Sequence, residues 1–143
     1  MNVQTVMLVV HPHRATALAM ACRCANGLED RGIKVVALDE SPPDLGLTRA
    51  GAETPVDLIV VFGGDGSILR GSEIAREQDV PLIGVNLGHV GFLAELDEEE
   101  AGDIVEQIAS GRFTIQERMT LDVSVVRQNR VVATSWALNE ASI

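Results

Sequence analysis

Apolar residues fall first into short continuous runs and later into strict alternation along this chain, and the change of pattern divides it. The runs Val6–Val10, Ile33–Leu38, Leu58–Phe62 and Val80–Val85 predict strands. Continuous rather than alternating apolarity is the mark of a strand buried on both faces, as in a parallel sheet. Between the runs the period changes to that of a helix. Leu18, Ala21, Cys22, Ala25 and Leu28 make one stripe, which Gly32 ends. A second helix is predicted from the glycine-rich turn after Phe62 to about Gln78. A third carries Ala101, Ile104, Val105 and Ile108, opened by a capping box of Asp97 and Glu100 with Leu96 as its staple. Residues 39–55, with Pro42, Pro43, Gly46, Gly51 and Pro55, read as a long loop.

From Leu121 the pattern alternates with a period of two: Leu121, Val123 and Val125 against Asp122 and Ser124. A polar turn at Gln128-Asn129 leads into Val131–Leu138, so this is antiparallel hairpin material. The expected fold is α/β. Residues 1–112 form an open, mostly parallel sheet with helices on both faces, and residues 113–143 are the first hairpin of an all-β domain. Leu121, Val123, Val125 and Trp136 are expected to share one apolar face. Two strands do not bury such a face alone, so the second domain reads as incomplete and the chain as cut.

Composition narrows the classes. At 143 residues and 46 % hydrophobic, the chain is long and apolar enough for a core, with aromatics only 3 %. The net charge of −10, from 21 acids and 11 bases, argues against nucleic acid as a partner. No signal peptide and no apolar run of membrane-spanning length is seen, which points to the cytoplasm and away from membranes. Cys22 and Cys24, about 200° apart on a helix wheel, do not pair, and free thiols suit a reducing compartment.

The chemistry concentrates in Val60-Val-Phe-Gly63-Gly64-Asp65-Gly66-Ser67-Ile-Leu-Arg70-Gly-Ser72. Glycines allow close backbone approach, and the N–H groups that open a helix suit a phosphate. A carboxylate inside such a turn makes sense if it holds a metal ion or accepts a proton from an attacking hydroxyl. The structural alternative is a plain strand-to-helix turn. Two phosphate motifs are excluded. A P-loop needs Lys where Arg70-Gly71-Ser72 stands, and the dinucleotide fingerprint needs a small residue where Leu69 stands. A second glycine-rich loop, Asn86-Leu87-Gly88-His89-Val90-Gly91-Phe92, follows the strand ending at Val85. Both loops lie at the carboxyl ends of predicted strands, where open parallel sheets bind ligands.

With Gly63-Gly64-Asp65-Gly66-Ser67, Gly84 to Leu93 and Ala137-Leu138-Asn139-Glu140 in order, the chain resembles the bacterial NAD kinase family. The first motif also occurs in lipid kinases and phosphofructokinases; the other two carry the resemblance. It implies transfer of a phosphoryl group from ATP or polyphosphate to the 2′-hydroxyl of the NAD adenosine ribose, giving NADP, with a divalent cation, Mg²⁺ or Mn²⁺. It implies Asp65 as proton acceptor. Gly63, Gly64, Gly66, Ser67, Arg70, Asn86, Phe92, Asn139 and Glu140 are implied to hold the nucleotides, Arg70 near phosphates, Phe92 on the adenosine, and Asn139 and Glu140 on the NAD sugars. No residue is assigned as a protein metal ligand. The resemblance also implies a homo-oligomer, a dimer or tetramer at full length, and an isolated chain without activity.

Two alternatives stand beside it: a lipid or diacylglycerol-type kinase with the same Gly-Gly-Asp-Gly turn, and a non-catalytic nucleotide-binding module. His11 and His13 flank Pro12, but nothing beside them completes a metal site. They read as a loop next to the phosphate site, with Arg14 a minor phosphate candidate. His89 reads as a local hydrogen-bonding residue, and Asp97–Glu100 with Asp103 and Glu106 as a solvated helix face.

Overall fold

Strands buried on both faces need a helical layer above and below, and the aliphatic runs of this chain receive one on each side. The computed structural model describes residues 1–87 and 103–138. Its elements run β1 (Thr5–Val10), α1 (Ala15–Glu29), β2 (Lys34–Leu38), β3 (Thr48–Ala50), β4 (Leu58–Gly63), α2 (Asp65–Gln78), β5 (Leu82–Asn86) and α3 (Ile104–Ser110), then β6 (Thr120–Arg127) and β7 (Arg130–Leu138). Residues 1–113 and 114–143 form separate compact units.

In the first unit five strands pair in the order β3-β2-β1-β4-β5, all parallel. Alternation along each strand sorts its side chains between two cores. Val6, Leu8, Val10, Val60 and Phe62 point to one side, against Ala17, Ala21, Leu28, Ile104 and Ile108 of α1 and α3. Met7, Val9, Ile59 and Val61 point to the other, against Ile68, Ile74 and Ala75 of α2. The small Ala17, Ala21 and Ala25 let α1 lie close to the sheet, and Gly71 does the same for α2. A Cβ on Gly71 would stand 2.5 Å from Val61 Cγ2 and 2.9 Å from Leu82 Cδ1.

Side chains lock the ends of the layers. Asp57 Oδ2 accepts from the backbone N–H of Gln4 and Thr5 at 2.9 and 2.8 Å, tying the approach to β4 to the start of β1. Gln78, the last residue of α2, donates to the carbonyls of Ala52 and Thr54 at 2.6 and 3.1 Å and accepts from Val56 N–H. Residues 39–55 are more ordered than the loop expected from their prolines and glycines. They hold a 3₁₀ turn at Pro43–Leu45 and the edge strand β3, which pairs Thr48–Ala50 with Val36–Leu38. With three residues and only Ala50 buried, β3 has no apolar run to announce it.

The chain leaves β1 toward β2 and β3, then returns to the opposite side of β1 to make β4 and β5. Strand order therefore reverses between β1 and β4, the place where open parallel sheets make a crevice.

In the second unit β6 and β7 form an antiparallel hairpin. Gln128 and Asn129 both take positive φ, 49° and 57°, the conformation that a tight two-residue hairpin turn demands. One expectation is corrected here. An unbroken ladder from that turn would set Trp136 opposite Leu121. A register shift between Val125 and Val126 moves it by one, so Trp136 faces Asp122 while Leu121 faces Ala137. Trp136 thus lies on the other face from Leu121, Val123 and Val125.

Two measurements follow. Gly71→Val should lower stability by about 1–3 kcal/mol through overpacking against Val61 and Leu82. Gly66→Ala, where nothing lies within 4 Å of the new methyl, should be neutral or stabilising by up to about 1 kcal/mol. Urea midpoints compare them, and equal midpoints for Gly71→Val and its parent would refute the close approach. Asn129→Gly should relieve the positive φ and slow amide exchange across Thr120–Leu138; faster exchange would contradict the turn geometry.

Candidate active site

The turn from β4 into α2 is built on the absence of side chains. A Cβ on Gly63 would meet Ser67 Oγ at 2.5 Å, Ser67 Cβ at 2.7 Å and His11 Cβ at 3.3 Å. Only glycine lets the strand end against both the first turn of α2 and the loop after β1. Gly64, extended at φ −102° and ψ −166°, is the N-cap of α2, and no side chain caps it. Ile68 N–H donates to Gly64 O at 3.1 Å, so the amides of Asp65, Gly66 and Ser67 open the helix. With the positive end of the helix dipole, they favour an anion. Gly66 presents open space. The Asp65 carboxylate stands in the same first turn.

A cleft of about 440 Å³ opens at the carboxyl ends of β1, β2 and β4, on the strand-order reversal. Gly64, Asp65, Gly66, Ser67 and Arg70 line it from α2, His11 and Arg14 from the loop after β1, and Glu40 and Ser41 from the loop after β2. The β2 loop is firmly held. Buried Ser41 Oγ accepts from Val10 N–H at 3.1 Å and donates to Leu8 O at 3.4 Å. Arg49 of β3 donates to the carbonyls of Asp39, Ser41 (2.7 Å) and Pro42 (3.3 Å).

That bracing presents Glu40 to Arg70. Arg70 donates through Nε at 3.0 Å and through Nη2 at 2.6 Å to the Glu40 carboxylate, and through Nη1 at 2.6 Å to Glu73. The fork geometry suits a carboxylate. The hydrogen bond from Arg70 holds the Glu40 carboxyl below its usual range, and the hydrogen bond to Glu40 raises the Arg70 guanidinium. Across the cleft, His11 N–H donates to Phe62 O at 2.9 Å, and His11 Nδ1 accepts from His13 N–H at 3.1 Å. That acceptor role fixes the neutral ring with its proton on Nε2. Burial lowers the His11 pKa, and the charges of Arg14 and His13 add to the effect.

The structure thus gathers Gly64, Asp65, Gly66, Ser67 and Arg70 at one cleft, with Gly63 the strand residue just before them. Asn86 ends β5 opposite Gly63 in the ladder, one strand away. Phe92, Asn139 and Glu140 lie outside the described residues, as do His89 and the Asp97–Glu100 cap. Among the described residues, no group of three or more His, Cys, Asp or Glu is placed to hold a metal ion. No helix among them is long and apolar enough to cross a membrane. Glu40 and its bracing residues, Ser41 and Arg49, were not foreseen from the sequence. The one signal was topological: the carboxyl end of β2 lies beside that of β1.

Comparison with known proteins agrees with the motifs. Residues 6–113 match the family described as ATP-NAD kinase N-terminal domain. Over 151 residues the chain is 41 % identical to NAD kinase 2 of Streptomyces coelicolor, covering 99 % of this chain and 50 % of that protein. It is 41 % identical to the NAD kinase of Corynebacterium diphtheriae over 151 residues, 96 % of this chain and 48 % of that protein. It is 37 % identical to the NAD kinase of Thermobifida fusca over 155 residues, 97 % and 48 % of the two chains. The chain spans about half the length of the curated relatives it matches.

The His11 environment gives a pH test. Its folded pKa lies below the ordinary 6.5, so the unfolded chain binds the proton more readily. Stability is therefore lost as pH falls through 6.5 toward the lowered value. His11→Asn keeps an acceptor for His13 N–H but does not titrate. Its denaturation midpoint should fall less than the parent's between pH 7 and about pH 5. Identical falls would remove His11 from the acid response.

Proposed function

The chain belongs to the NAD kinase family, and from that membership and the cleft we propose that it supplies the nucleotide-binding half of a phosphotransferase acting on NAD. The reaction moves a phosphoryl group from ATP or polyphosphate to the 2′-hydroxyl of the NAD adenosine ribose, giving NADP. The observation that carries the proposal is a carboxylate, Asp65, in the first turn of a helix whose amides face a cleft at the strand-order reversal.

Asp65 accepts the proton of the ribose hydroxyl as its oxygen attacks the terminal phosphorus, and the bond from that phosphorus to the donor's bridging oxygen breaks. The amides of Gly66 and Ser67 hydrogen-bond phosphate oxygens, and the bare face of Gly66 gives the dinucleotide room. Positioning and charge stabilisation are most of what phosphoryl transfer needs from a protein. Arg70, paired with Glu40 and Glu73, gives that wall of the cleft a fixed shape. Asn86, Phe92, Asn139 and Glu140 contact the nucleotide, as the resemblance to the family implies.

A divalent ion would neutralise the phosphates. Mg²⁺ in such sites is held by one or two carboxylates and the substrate's own phosphates, and Asp65 in the cleft fits that donor set without a protein cage. The free cysteines suit a cytoplasmic location: Cys24 is buried and its thiol is pushed up to about 12, so it stays protonated. At full length the protein is proposed to be a homo-oligomer, with other parts of the chain completing the NAD pocket.

In a chain spanning the full length of the relatives, Asp65→Asn keeps the shape and removes the base. NAD phosphorylation should drop about 10²- to 10⁴-fold. Activity within a few-fold of the parent would take Asp65 out of the mechanism.

A further inference from the structure

Two arginines line the cleft, and their charges are in different states. Arg70 is compensated by Glu40 and Glu73, each at 2.6 Å. Any phosphate that took Arg70 would have to draw it from two carboxylates and then lie beside them, against Coulomb repulsion. Arg14 is the opposite case. It is half-buried at the N-cap of α1, and its side chain makes no hydrogen bond or ion pair among the described residues. Its Nη2 stands 4.0 Å from the point a Cβ on Gly64 would occupy, over the turn that opens α2. Its charge is felt in the cleft, where it helps keep His11 neutral.

An uncommitted guanidinium in a cleft offers a planar fork to an oxyanion, with paired hydrogen bonds that an ammonium does not match. Partial desolvation makes that contact stronger than it would be on open surface. The need for such a cation is set by the chain's net charge of −10, which repels an approaching polyanion. Backbone amides of α2 contribute partial charges only.

We propose that Arg14 is the residue that grips the oxyanions of the donor's polyphosphate chain. The proposal rests on the phosphoryl-transfer reading of this cleft and narrows donor recognition to one side chain. The chemistry is shared by a nucleoside triphosphate and by inorganic polyphosphate.

Isothermal titration of inorganic tripolyphosphate, and separately of ATP, into the chain at fixed ionic strength provides the test. Arg14→Ala should weaken binding at least about tenfold, with an unchanged urea midpoint to show the fold intact. Arg14→Lys should restore part of the loss, because the charge returns without the fork. The salt dependence of binding should also be shallower in Arg14→Ala, since one cation fewer meets the polyanion. Arg14-dependent binding of tripolyphosphate, of ATP or of both supports the proposal and identifies the donor class.

A parent that binds neither ligand overturns it, as does Arg14→Ala binding within twofold of the parent. In the chain at full relative length, the same substitution should raise KM for the donor about tenfold and leave KM for NAD unmoved. Equal rises in both would overturn donor recognition by Arg14. Arg14-dependent binding without any NAD phosphorylation at full length would defeat the proposed reaction and leave the Arg14 assignment standing.

Discussion

The approach of α2 to β4 is the contact on which the site depends. Two positions without side chains permit it: Gly63, where the strand meets the first turn of the helix, and Gly71, where the helix lies on Val61 and Leu82. A methyl group at either would push the helix away from the sheet. The start of α2 would move with it, carrying the amides of Asp65, Gly66 and Ser67 and the carboxylate between them. The aliphatic core on that side, Ile68, Ile74 and Ala75 against Met7, Val9, Ile59 and Val61, fixes the helix once the approach is made. Packing and chemistry are thus one arrangement, since the residues that seat the helix also aim its N-terminus.

The parts legible in the sequence were those written in local pattern. Leu58–Phe62 and Val6–Val10 are continuous apolar runs, and both are central strands. The glycine-rich turn after Phe62 lies at the cleft because strand, turn and helix are contiguous. Features that depend on partners distant in sequence were not legible. β3 is a strand because β2 offers an edge, not because Thr48-Arg49-Ala50 has a strand pattern. The face of Trp136 is set by a register shift between Val125 and Val126, which no local periodicity marks. Glu40 meets Arg70 across 30 residues of chain, through a loop held by Arg49 and Ser41.

The cation and helix ends at the cleft are local features of an acidic chain. The chain is strongly acidic, yet the cleft is framed by the N-termini of α1 and α2 and by the guanidinium of Arg14. Arg70 adds no net positive charge, because Glu40 and Glu73 absorb it. The clasp fixes shape, and the helix ends with Arg14 supply the attraction for an anion beside the Asp65 carboxylate. A parallel sheet makes this possible at no cost in core packing, because every helix that follows a strand starts at the same edge of the sheet.

The central place of β1 also governs how the chain acquires its structure. β1 is made before the strands that flank it, and Lys34–Leu38 can pair with one of its edges early. Its other edge waits for Leu58–Phe62, the strand that Val6 to Val10 pair with in the finished sheet. Until those residues emerge, a fully apolar strand presents an unpaired row of N–H and C=O groups. Parallel pairing of this range has high contact order and forms slowly. The interval between the synthesis of β1 and that of β4 is therefore the period in which the nascent chain is most open to strand exchange with its neighbours.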